Sequence, residues 1–288
     1  MSVDQIKEIG VIGSGAMGSQ IAMVAALSGF DVKLQDINEE SLGQAEKELR
    51  FRLNKRAEKG KVSEQEVEEA FSRLTFLSSL EDAVKNSDFV IEAIIENVEV
   101  KKELFEKLDK LAPPHAILST NSSTIVSSKV AHHTNRPEKV CNFHFFNPAL
   151  VMEMVEVVQG PHTSEETAQT AFELAKKLNK TPILLKKEIS GFVANRILGK
   201  VMNEAIYLYE NEIATAEEID LACTKALNHP IGPFALIDLT GLDVHYSVRE
   251  QRYKESGNEE DKPSQIIIDK VNKGELGRKT GKGFYSYS

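Results

Sequence analysis

The feature of this sequence that most restricts its fold is a glycine pattern near the N-terminus. Gly13, Gly15 and Gly18 form a G-x-G-x-x-G pattern directly after an apolar run at Glu8–Ile12 and at the start of a helical pattern that begins at Ala16. In a βαβ unit such glycines permit a tight turn, a close approach of the backbone to a pyrophosphate and close packing of helix on strand. The first N–H groups of the helix then bind the phosphates. The sequence predicts a dinucleotide site at Gly13, Gly15, Ala16, Met17 and Gly18; a glycine-rich turn without a ligand is the weaker alternative.

An acidic residue at the expected spacing narrows the choice of dinucleotide. Asp36 follows a second apolar run, Asp31–Gln35, and lies 23 residues after Gly13. In this position a carboxylate binds the 2′-hydroxyl of the adenosine ribose. A 2′-phosphate about 4 Å away would be repelled by about 1–4 kcal/mol, and the next three residues supply no cation to offset it. We therefore predict NAD rather than NADP as the cofactor.

Strand and helix patterns alternate through the first two thirds of the chain. The predicted strands are Glu8–Ile12, Asp31–Gln35, Leu74–Leu77, Phe89–Ala93, Ala116–Ser119 and Val140–Phe143, and further apolar runs follow at Val151–Val158 and Thr181–Leu185, with a helix at Ser164–Leu178 between them. This alternation predicts a parallel sheet with helices on both faces. From Ile189 onward the patterns are helical. The predicted fold is α/β, with a Rossmann-like doubly wound domain at residues 1–187 and an all-helical domain at residues 188–288.

Composition limits the possible partners. Acidic residues exceed basic ones, 44 to 35, for a net charge of −9, which disfavours broad nucleic-acid binding. The two cysteines, Cys141 and Cys223, form no disulfide framework, and no Cys/His spacing indicates a metal site. No apolar run approaches the roughly 18 residues that a membrane span needs, and the N-terminus lacks the pattern of a secretory signal. We expect a cytoplasmic protein with no membrane association.

Several further motifs carry a family resemblance. In chain order they are Glu92–Lys101, Ser119–Ser123, His144-Phe145-Phe146-Asn147-Pro148, Gly191-Phe192-Val193-Ala194-Asn195-Arg196, Asn228–Pro233 and Gly277–Tyr285. Together they resemble the 3-hydroxyacyl-CoA dehydrogenase family, and the length is similar to its short bacterial 3-hydroxybutyryl-CoA dehydrogenase branch. The resemblance implies an NAD-dependent oxidation of an L-3-hydroxyacyl-CoA to the 3-ketoacyl-CoA, or the reverse. It also implies a homodimer formed by the helical domain, and an active site between the two domains.

The resemblance implies a histidine as the proton-transferring group. A base for a secondary alcohol must titrate near neutral pH, which favours histidine, and the family motif identifies it as His144. We expect His144 at the carboxyl end of the strand Val140–Phe143, where ligands of open α/β sheets bind. The family pairs this histidine with a glutamate, here Glu156, which would fix the imidazole tautomer. For Glu156 the alternative is a solvated position at the sheet edge.

Two polar residues are expected to hold the substrate. The resemblance assigns Ser122 to the C3 oxygen, and to the cofactor as well, and Asn195 to a carbonyl oxygen of the substrate. A serine hydroxyl suits both alcohol and ketone because it donates and accepts hydrogen bonds. This chain reads Ser-Thr-Asn-Ser-Ser where the family usually reads Ser-Asn-Thr-Ser-Ser, and it has one extra residue before His144. Ser123 is therefore the alternative to Ser122.

Charged residues complete the predicted site. The resemblance implies that Glu96 and Lys101 contact the cofactor, although Lys101 could instead be an exposed lysine near the start of a helix. Residues 47–61 hold seven basic and two acidic residues, and cations of this kind bind phosphates without deep burial. The family binds coenzyme A through this segment. We predict contacts from Lys55 and Lys59, with Arg52 and Arg56 as neighbours, against the alternative of a solvated helix face.

Two other functions remain open. One is a non-enzymatic NAD-binding structural protein, because a fold alone does not prove activity. The other is a dehydrogenase of the lysine-dependent 3-hydroxy-acid group, which lacks the His144–Pro148 motif. The sequence predicts neither the acyl-chain length nor the physiological direction.

Overall fold

The structure, a computed structural model, describes residues 1–287 apart from the side chain of Glu255. It divides into two compact units, the first of which ends at Phe192 and the second of which begins at Val193. The predicted limit at residues 187 and 188 lies slightly before this division and stays a prediction. Within residues 1–287, no helix has the length and apolar character needed to cross a bilayer.

An eight-stranded sheet forms the centre of the first unit. Its strands are β1 (Glu8–Ile12), β2 (Asp31–Gln35), β3 (Leu74–Leu77), β4 (Phe89–Glu92), β5 (Ile117–Thr120), β6 (Val140–Phe145), β7 (Met154–Val158) and β8 (Thr181–Leu185). The spatial order is β3-β2-β1-β4-β5-β6-β7-β8. The order reverses direction at β1, between β2 and β4, which is the place where open α/β sheets bind their ligands.

The pairing of the strands is parallel with one exception. β6 and β7 pair antiparallel, and β7 and β8 pair parallel again. The predicted parallel sheet is therefore confirmed at the other strand pairs, and only the pair of β6 and β7 departs from it. A strand that returns beside its neighbour after a short connection must run antiparallel, because a parallel crossover needs a dozen or more residues, and only eight residues, 146–153, separate β6 from β7.

Helices cover both faces of the sheet, as predicted. They are α1 (Ala16–Leu27), α2 (Glu39–Glu58), α3 (Glu64–Arg73), α4 (Leu80–Val84), α5 (Val98–Leu111), α6 (Ser128–Ala131) and α7 (Glu165–Lys177). One apolar core joins α1, α2, α3 and α7 to the sheet, and a second core on the other face joins α4, α5 and α6. The doubly wound α/β prediction is confirmed.

The second unit is helical, as predicted. Its helices are α8 (Ala194–Glu210), α9 (Ala216–Lys225), α10 (Pro233–Thr240), α11 (Leu242–Ser256) and α12 (Gln265–Asn272). The rings of Tyr209, Phe234 and Phe284 pack with centroids 4.5–5.7 Å apart at its core. Buried Asp238 accepts the N–H groups of Phe284 and Tyr285, both at 2.9 Å, and so attaches the C-terminal segment to α10.

Candidate functional site

The glycine loop joins β1 to α1 as the sequence predicts. Gly13 has a φ of 102°, and a Cβ there would lie 2.6 Å from the carbonyl oxygen of Ala93. At Gly18 a Cβ would collide with the carbonyl oxygen of Gly13. A Cβ on Gly15 would meet nothing within 4 Å, and this residue begins α1 without a side-chain cap. The start of α1 thus has no side-chain cap and lines a cleft, which suits a phosphate.

Asp36 lies beside this loop at the end of β2. Its Oδ2 accepts both the N–H and the hydroxyl of Ser14, each at 2.8 Å, and its Oδ1 accepts the N–H of Asn38 at 3.0 Å. Burial by itself would raise the pKa of Asp36, but these hydrogen bonds outweigh it and the pKa lies below its ordinary value. The carboxylate is thus charged and held against the loop, where it can bind a ribose hydroxyl.

His144 and Glu156 form a buried pair. The Nδ1 of His144 lies 2.9 Å from Oε2 of Glu156, and their side chains are 6% and 0% exposed. The two residues are direct partners in the antiparallel register of β6 and β7, so their side chains lie on the same face of the sheet. The solvated-edge alternative for Glu156 is therefore wrong.

The position of His144 within its strand differs from the prediction. β6 continues to Phe145, so His144 lies inside the strand rather than after its end. Two aromatic rings flank the imidazole, with centroids at 4.6 Å for Phe146 and 5.4 Å for Phe192. Phe192 has a φ of 46°, which is sparsely populated by bulky residues and costs conformational energy. The imidazole is held between its carboxylate and these rings.

A network of charges lies at the carboxyl end of β4. The Nζ of Lys101, on α5, is 2.5 Å from Oε1 of Glu92 and 3.3 Å from Oε2 of Glu96. Glu92 is 0% exposed and also accepts the hydroxyl of Thr120 at 2.6 Å. Lys101 is only 1% exposed, so the exposed-lysine alternative is wrong. The Lys101 side chain thus joins two carboxyl groups from the carboxyl end of β4 and the residues after it.

Ser122 is connected to that network. Its hydroxyl donates to Oε1 of Glu96 and accepts the N–H of Ile125 at 2.8 Å. Burial alone would raise the pKa of Glu96, but the hydroxyls of Ser122 and Thr124 and the charge of Lys101 lower it below its ordinary value. For Ser123, by contrast, the contact is one of the backbone, because its carbonyl oxygen accepts the N–H of Gly191. The structure thus brings Ser122, Glu96 and Lys101 together, and their contacts with cofactor and substrate stay predictions.

Two adjoining clefts run from the glycine loop along α2. The first, of about 620 Å³, is lined by loop residues Ser14, Gly15 and Ala16 and by α2. The second, of about 300 Å³, is lined on one side by Phe51, Arg52, Lys55 and Arg56 and on the other by Pro148, Leu150 and Val151. Gln20, Glu48 and Arg52 line both clefts. Lys59 follows the end of α2 and lines neither of them.

The last predicted site residue, Asn195, lies in the second unit. It occupies the first turn of α8 and is half-buried. Its assignment to the substrate stays a prediction.

Sequence reasoning missed two features of the site. Glu92 begins the Glu92–Lys101 motif, but the sequence predicts no role for it. A carboxylate that ends an apolar strand nevertheless needs a partner. Ile37 and Ile95 are 91% and 68% exposed at the ends of the β2 and β4 connections. An aliphatic residue in the short connection just after β2 and another just after β4, at a ligand-binding edge, is a signal that could have pointed to an apolar contact surface for a ligand.

Comparisons with known proteins cover nearly the whole chain. Two family profiles match, "3-hydroxyacyl-CoA dehydrogenase, NAD binding domain" over residues 8–189 and "3-hydroxyacyl-CoA dehydrogenase, C-terminal domain" over residues 191–287. A probable 3-hydroxybutyryl-CoA dehydrogenase from Bacillus subtilis is 43% identical over 283 residues and covers 98% of each chain. A 3-hydroxybutyryl-CoA dehydrogenase from Clostridioides difficile is 40% identical over 281 residues, covering 98% of this chain and 99% of the relative.

Solved structures agree with these sequences. The crystal structure of (S)-3-hydroxybutyryl-CoA dehydrogenase from Ralstonia eutropha has a TM-score of 0.92 and 36% identity, and covers 99% of this chain and 100% of the other. The crystal structure of FadB2 from M. tuberculosis has a TM-score of 0.93 and 36% identity, and covers 98% of this chain and 99% of the other.

Proposed function

Because this chain belongs to the 3-hydroxyacyl-CoA dehydrogenase family and is an NAD-dependent oxidoreductase, we propose that its substrate is a short-chain L-3-hydroxyacyl-CoA, namely 3-hydroxybutyryl-CoA. The observation that carries the proposal is the buried His144–Glu156 pair at 2.9 Å in an NAD-binding unit. The names of the relatives support the short acyl chain. They also favour a dehydrogenase over the non-enzymatic protein and the lysine-dependent group.

The residues of the first unit fit the cofactor. The open backbone at Gly15 and the first N–H groups of α1 hold the pyrophosphate, and the Asp36 carboxylate holds the adenosine ribose. Ile37 and Ile95 provide an apolar wall for the adenine. When bound, NAD supplies the acceptor for the hydride that leaves C3 of the substrate.

His144 moves the proton of the reaction. Its Nδ1–H donates to Glu156, so Nε2 takes the proton from the C3 hydroxyl during oxidation and returns it during reduction. The buried carboxylate fixes this tautomer and stabilises the imidazolium that forms. Because Glu156 is fully buried, its attraction for the imidazolium is screened less than at a surface.

Ser122 and Asn195 orient the substrate. The Ser122 hydroxyl turns from Glu96 toward the C3 oxygen, donating to the ketone and accepting from the alcohol. The Ser122 Oγ still accepts the N–H of Ile125, and this bond keeps the oxygen in place. Asn195 donates its amide to the thioester carbonyl. Glu96, held by Lys101, orients the serine hydroxyl until the substrate binds and contacts the cofactor.

The coenzyme A part of the substrate lies along the second cleft. Phe51 and Val151 offer apolar contact there, and both line it. Arg52, Lys55 and Arg56 line the same cleft and supply positive charge for the phosphates. Lys59, one turn further along the chain, contributes charge at its outer end.

The second unit pairs with a second copy of this chain. Its helices expose large apolar side chains, among them Ile197 (62%), Leu239 (51%) and Val244 (49%). Contiguous exposed apolar surface marks interaction sites. We expect a dimer in light scattering, and a monomer from the variant Val244→Asp if this face is the interface.

The location of the protein belongs to the same proposal. Both cysteines are free thiols, and thiols of this kind are typical of a reducing compartment. A cytoplasmic location stays a prediction.

Replacement of His144 by glutamine tests the proposed chemistry. We expect kcat for acetoacetyl-CoA reduction to fall by ~10²-fold or more, with the affinity for NADH nearly unchanged. His133→Gln, at an exposed histidine, is the matched control and should keep full activity. Near wild-type turnover in His144→Gln would remove the assignment.

The test also separates the alternatives. Tight NADH binding without turnover of any acyl-CoA would support the non-enzymatic protein. Activity on a free 3-hydroxy acid but not on its thioester would support the lysine-dependent group. A panel of acyl-CoA substrates from four to sixteen carbons measures the chain length, and we expect the highest kcat/KM at four carbons.

A further inference from the structure

The backbone pairing of β5 and β6 ends before it reaches the catalytic groups. Thr120 and Asn142 are the last partners in this parallel ladder. Ser122 lies two residues beyond the end of the ladder on one chain segment, and His144 lies two residues beyond it on the other. The backbone ladder by itself therefore does not fix the distance between the two side chains.

A buried asparagine amide replaces the missing ladder on the β6 side. Asn142 is 0% exposed. Its Oδ1 accepts the N–H of Ser127 at 2.7 Å, and its Nδ2 donates to the carbonyl oxygens of Ser122 at 3.3 Å and Ile125 at 3.1 Å. Every one of these bonds goes to the loop at residues 122–127.

A second asparagine makes the reciprocal connection from the β5 side. The Oδ1 of Asn121 accepts the backbone N–H of Phe145 at 2.8 Å, and Asn121 directly precedes Ser122 while Phe145 directly follows His144. The side chain of Asn142 lies on the same face of β6 as His144, because positions i and i+2 of a strand share a face. Two amides thus join the serine loop to the histidine strand on both sides of the site.

From this arrangement we infer that Asn142 and Asn121 are positioning residues, which set the Ser122 hydroxyl against the His144 imidazole for their joint action on the C3 oxygen. This inference rests on the proposed roles of Ser122 and His144. Its physical basis is that a displacement of about 1 Å in a catalytic group can cost up to ~10²-fold in rate. A loop released from its amide anchors undergoes displacements of this size.

A double-mutant cycle tests the inference, because it separates positioning of Ser122 from general damage. We expect Asn142→Ala to lower kcat/KM for acetoacetyl-CoA by ~10-fold in the wild-type background. In a Ser122→Ala background the same change should cost less than about 2-fold, since there is no longer a hydroxyl to misplace. Asn121→Ala is the second arm and should behave alike, so the test survives if Asn142→Ala does not fold.

Thr163→Val is the matched control. The hydroxyl of Thr163 donates to the carbonyl oxygen of Val140 at 2.6 Å, so this variant also removes a buried side-chain bond to β6, but at the opposite end of the strand. It should lower the melting temperature while leaving kcat/KM within about 2-fold of wild type.

Each outcome has one meaning. The inference would be overturned if an asparagine variant lowered kcat/KM by the same factor in the wild-type and Ser122→Ala backgrounds while Ser122→Ala was itself impaired. The proposed function would then remain intact. Ser122→Ala with wild-type kcat/KM would instead refute the serine's place in the proposed function. The inference is supported if either asparagine variant lowers kcat/KM much less in the Ser122→Ala background than in the wild-type background.

Discussion

Replacement of Glu156 by glutamine tests the electrostatic part of the proposed chemistry. The substitution keeps the shape of the side chain and an oxygen that can accept from Nδ1 of His144. It removes a negative charge that is 0% exposed and 2.9 Å from that nitrogen. The variant therefore keeps the hydrogen bond that fixes the tautomer of His144 and removes only the charge that stabilises the imidazolium.

The distance gives the size of the effect. Both charges are delocalised, so their centres lie about 4–5 Å apart, and at an effective dielectric constant of about 20 their attraction is about 4 kcal/mol. The amide of glutamine recovers about 1 kcal/mol as a neutral hydrogen bond. A net loss of about 3 kcal/mol in the state that carries the imidazolium corresponds to a fall in kcat of ~10²-fold.

The assay follows NADH formation from 3-hydroxybutyryl-CoA and NAD at saturating concentrations of both, because oxidation is the direction in which the imidazolium forms. The affinity for NADH, measured by its fluorescence, should stay within about 2-fold, because Glu156 binds the histidine rather than the cofactor. Asp109→Asn is the matched control. It removes the charge of another carboxylate, which lies on α5, is 6% exposed and is paired with Arg136, and it should lower stability without lowering kcat.

A kcat for Glu156→Gln within about 3-fold of wild type, in a protein with unchanged melting temperature, would contradict the reasoning. It would mean that the imidazolium needs no buried counter-charge. An equal loss in Asp109→Asn would mean that the assay reports stability rather than chemistry.

Three further predictions concern the cofactor and the buried charges. Asp36→Ser should raise kcat/KM for NADPH relative to NADH by ~10-fold or more, because it removes about 1–4 kcal/mol of repulsion from a 2′-phosphate; unchanged discrimination in steady-state kinetics would refute this. Lys101→Met leaves Glu92 buried without its cation and should lower the free energy of unfolding in urea by about 3–5 kcal/mol, with part of the loss restored by the double variant Glu92→Gln/Lys101→Met. Burial alone would raise the pKa of Asp109, but Arg136 and Asn135 lower it below its ordinary value. The ionised Asp109 therefore contributes its full stabilisation above the pKa of about 3.9 that an aspartate has in the unfolded chain. This contribution is lost as the pH falls through the lowered pKa of the native state. Asp109→Asn should therefore flatten the acid side of a plot of unfolding free energy against pH, and an unchanged slope would argue against the ion pair.

Local patterns predicted much of the fold. β1, β2 and β3 have the predicted bounds, and the predicted apolar run Thr181–Leu185 is β8, because short apolar runs between turn residues define strands. The predicted end of β6 was wrong, since Phe143 is followed by a histidine and further aromatic residues whose strand conformation depends on pairing with β7. That antiparallel pairing joins positions 10 to 16 residues apart, and a local pattern does not indicate the direction of a partner strand.

The site was predictable only in part, for similar reasons. The motif that contains Lys101 predicted that this lysine lies near the cofactor site. The burial of Lys101, however, depends on its ion pair with Glu92, which lies nine residues earlier and on another element. The roles of Asn121 and Asn142 depend on bonds to a loop and a strand about twenty residues away. A polar residue in a strand or loop has many local explanations, and only the tertiary structure selects among them.

The hairpin of β6 and β7 has a consequence for how such a protein can change. The geometry of His144 and Glu156 depends on the ladder between the two strands and on Phe146, whose ring packs on the imidazole, but not on residues 149–153 of the connection. Part of that connection, including Leu150 and Val151, forms a wall of the proposed coenzyme A cleft. Variation there can alter which substrates fit while the acid–base apparatus is inherited unchanged. Directed evolution for a different thioester carrier has its safest starting library at positions 150 and 151.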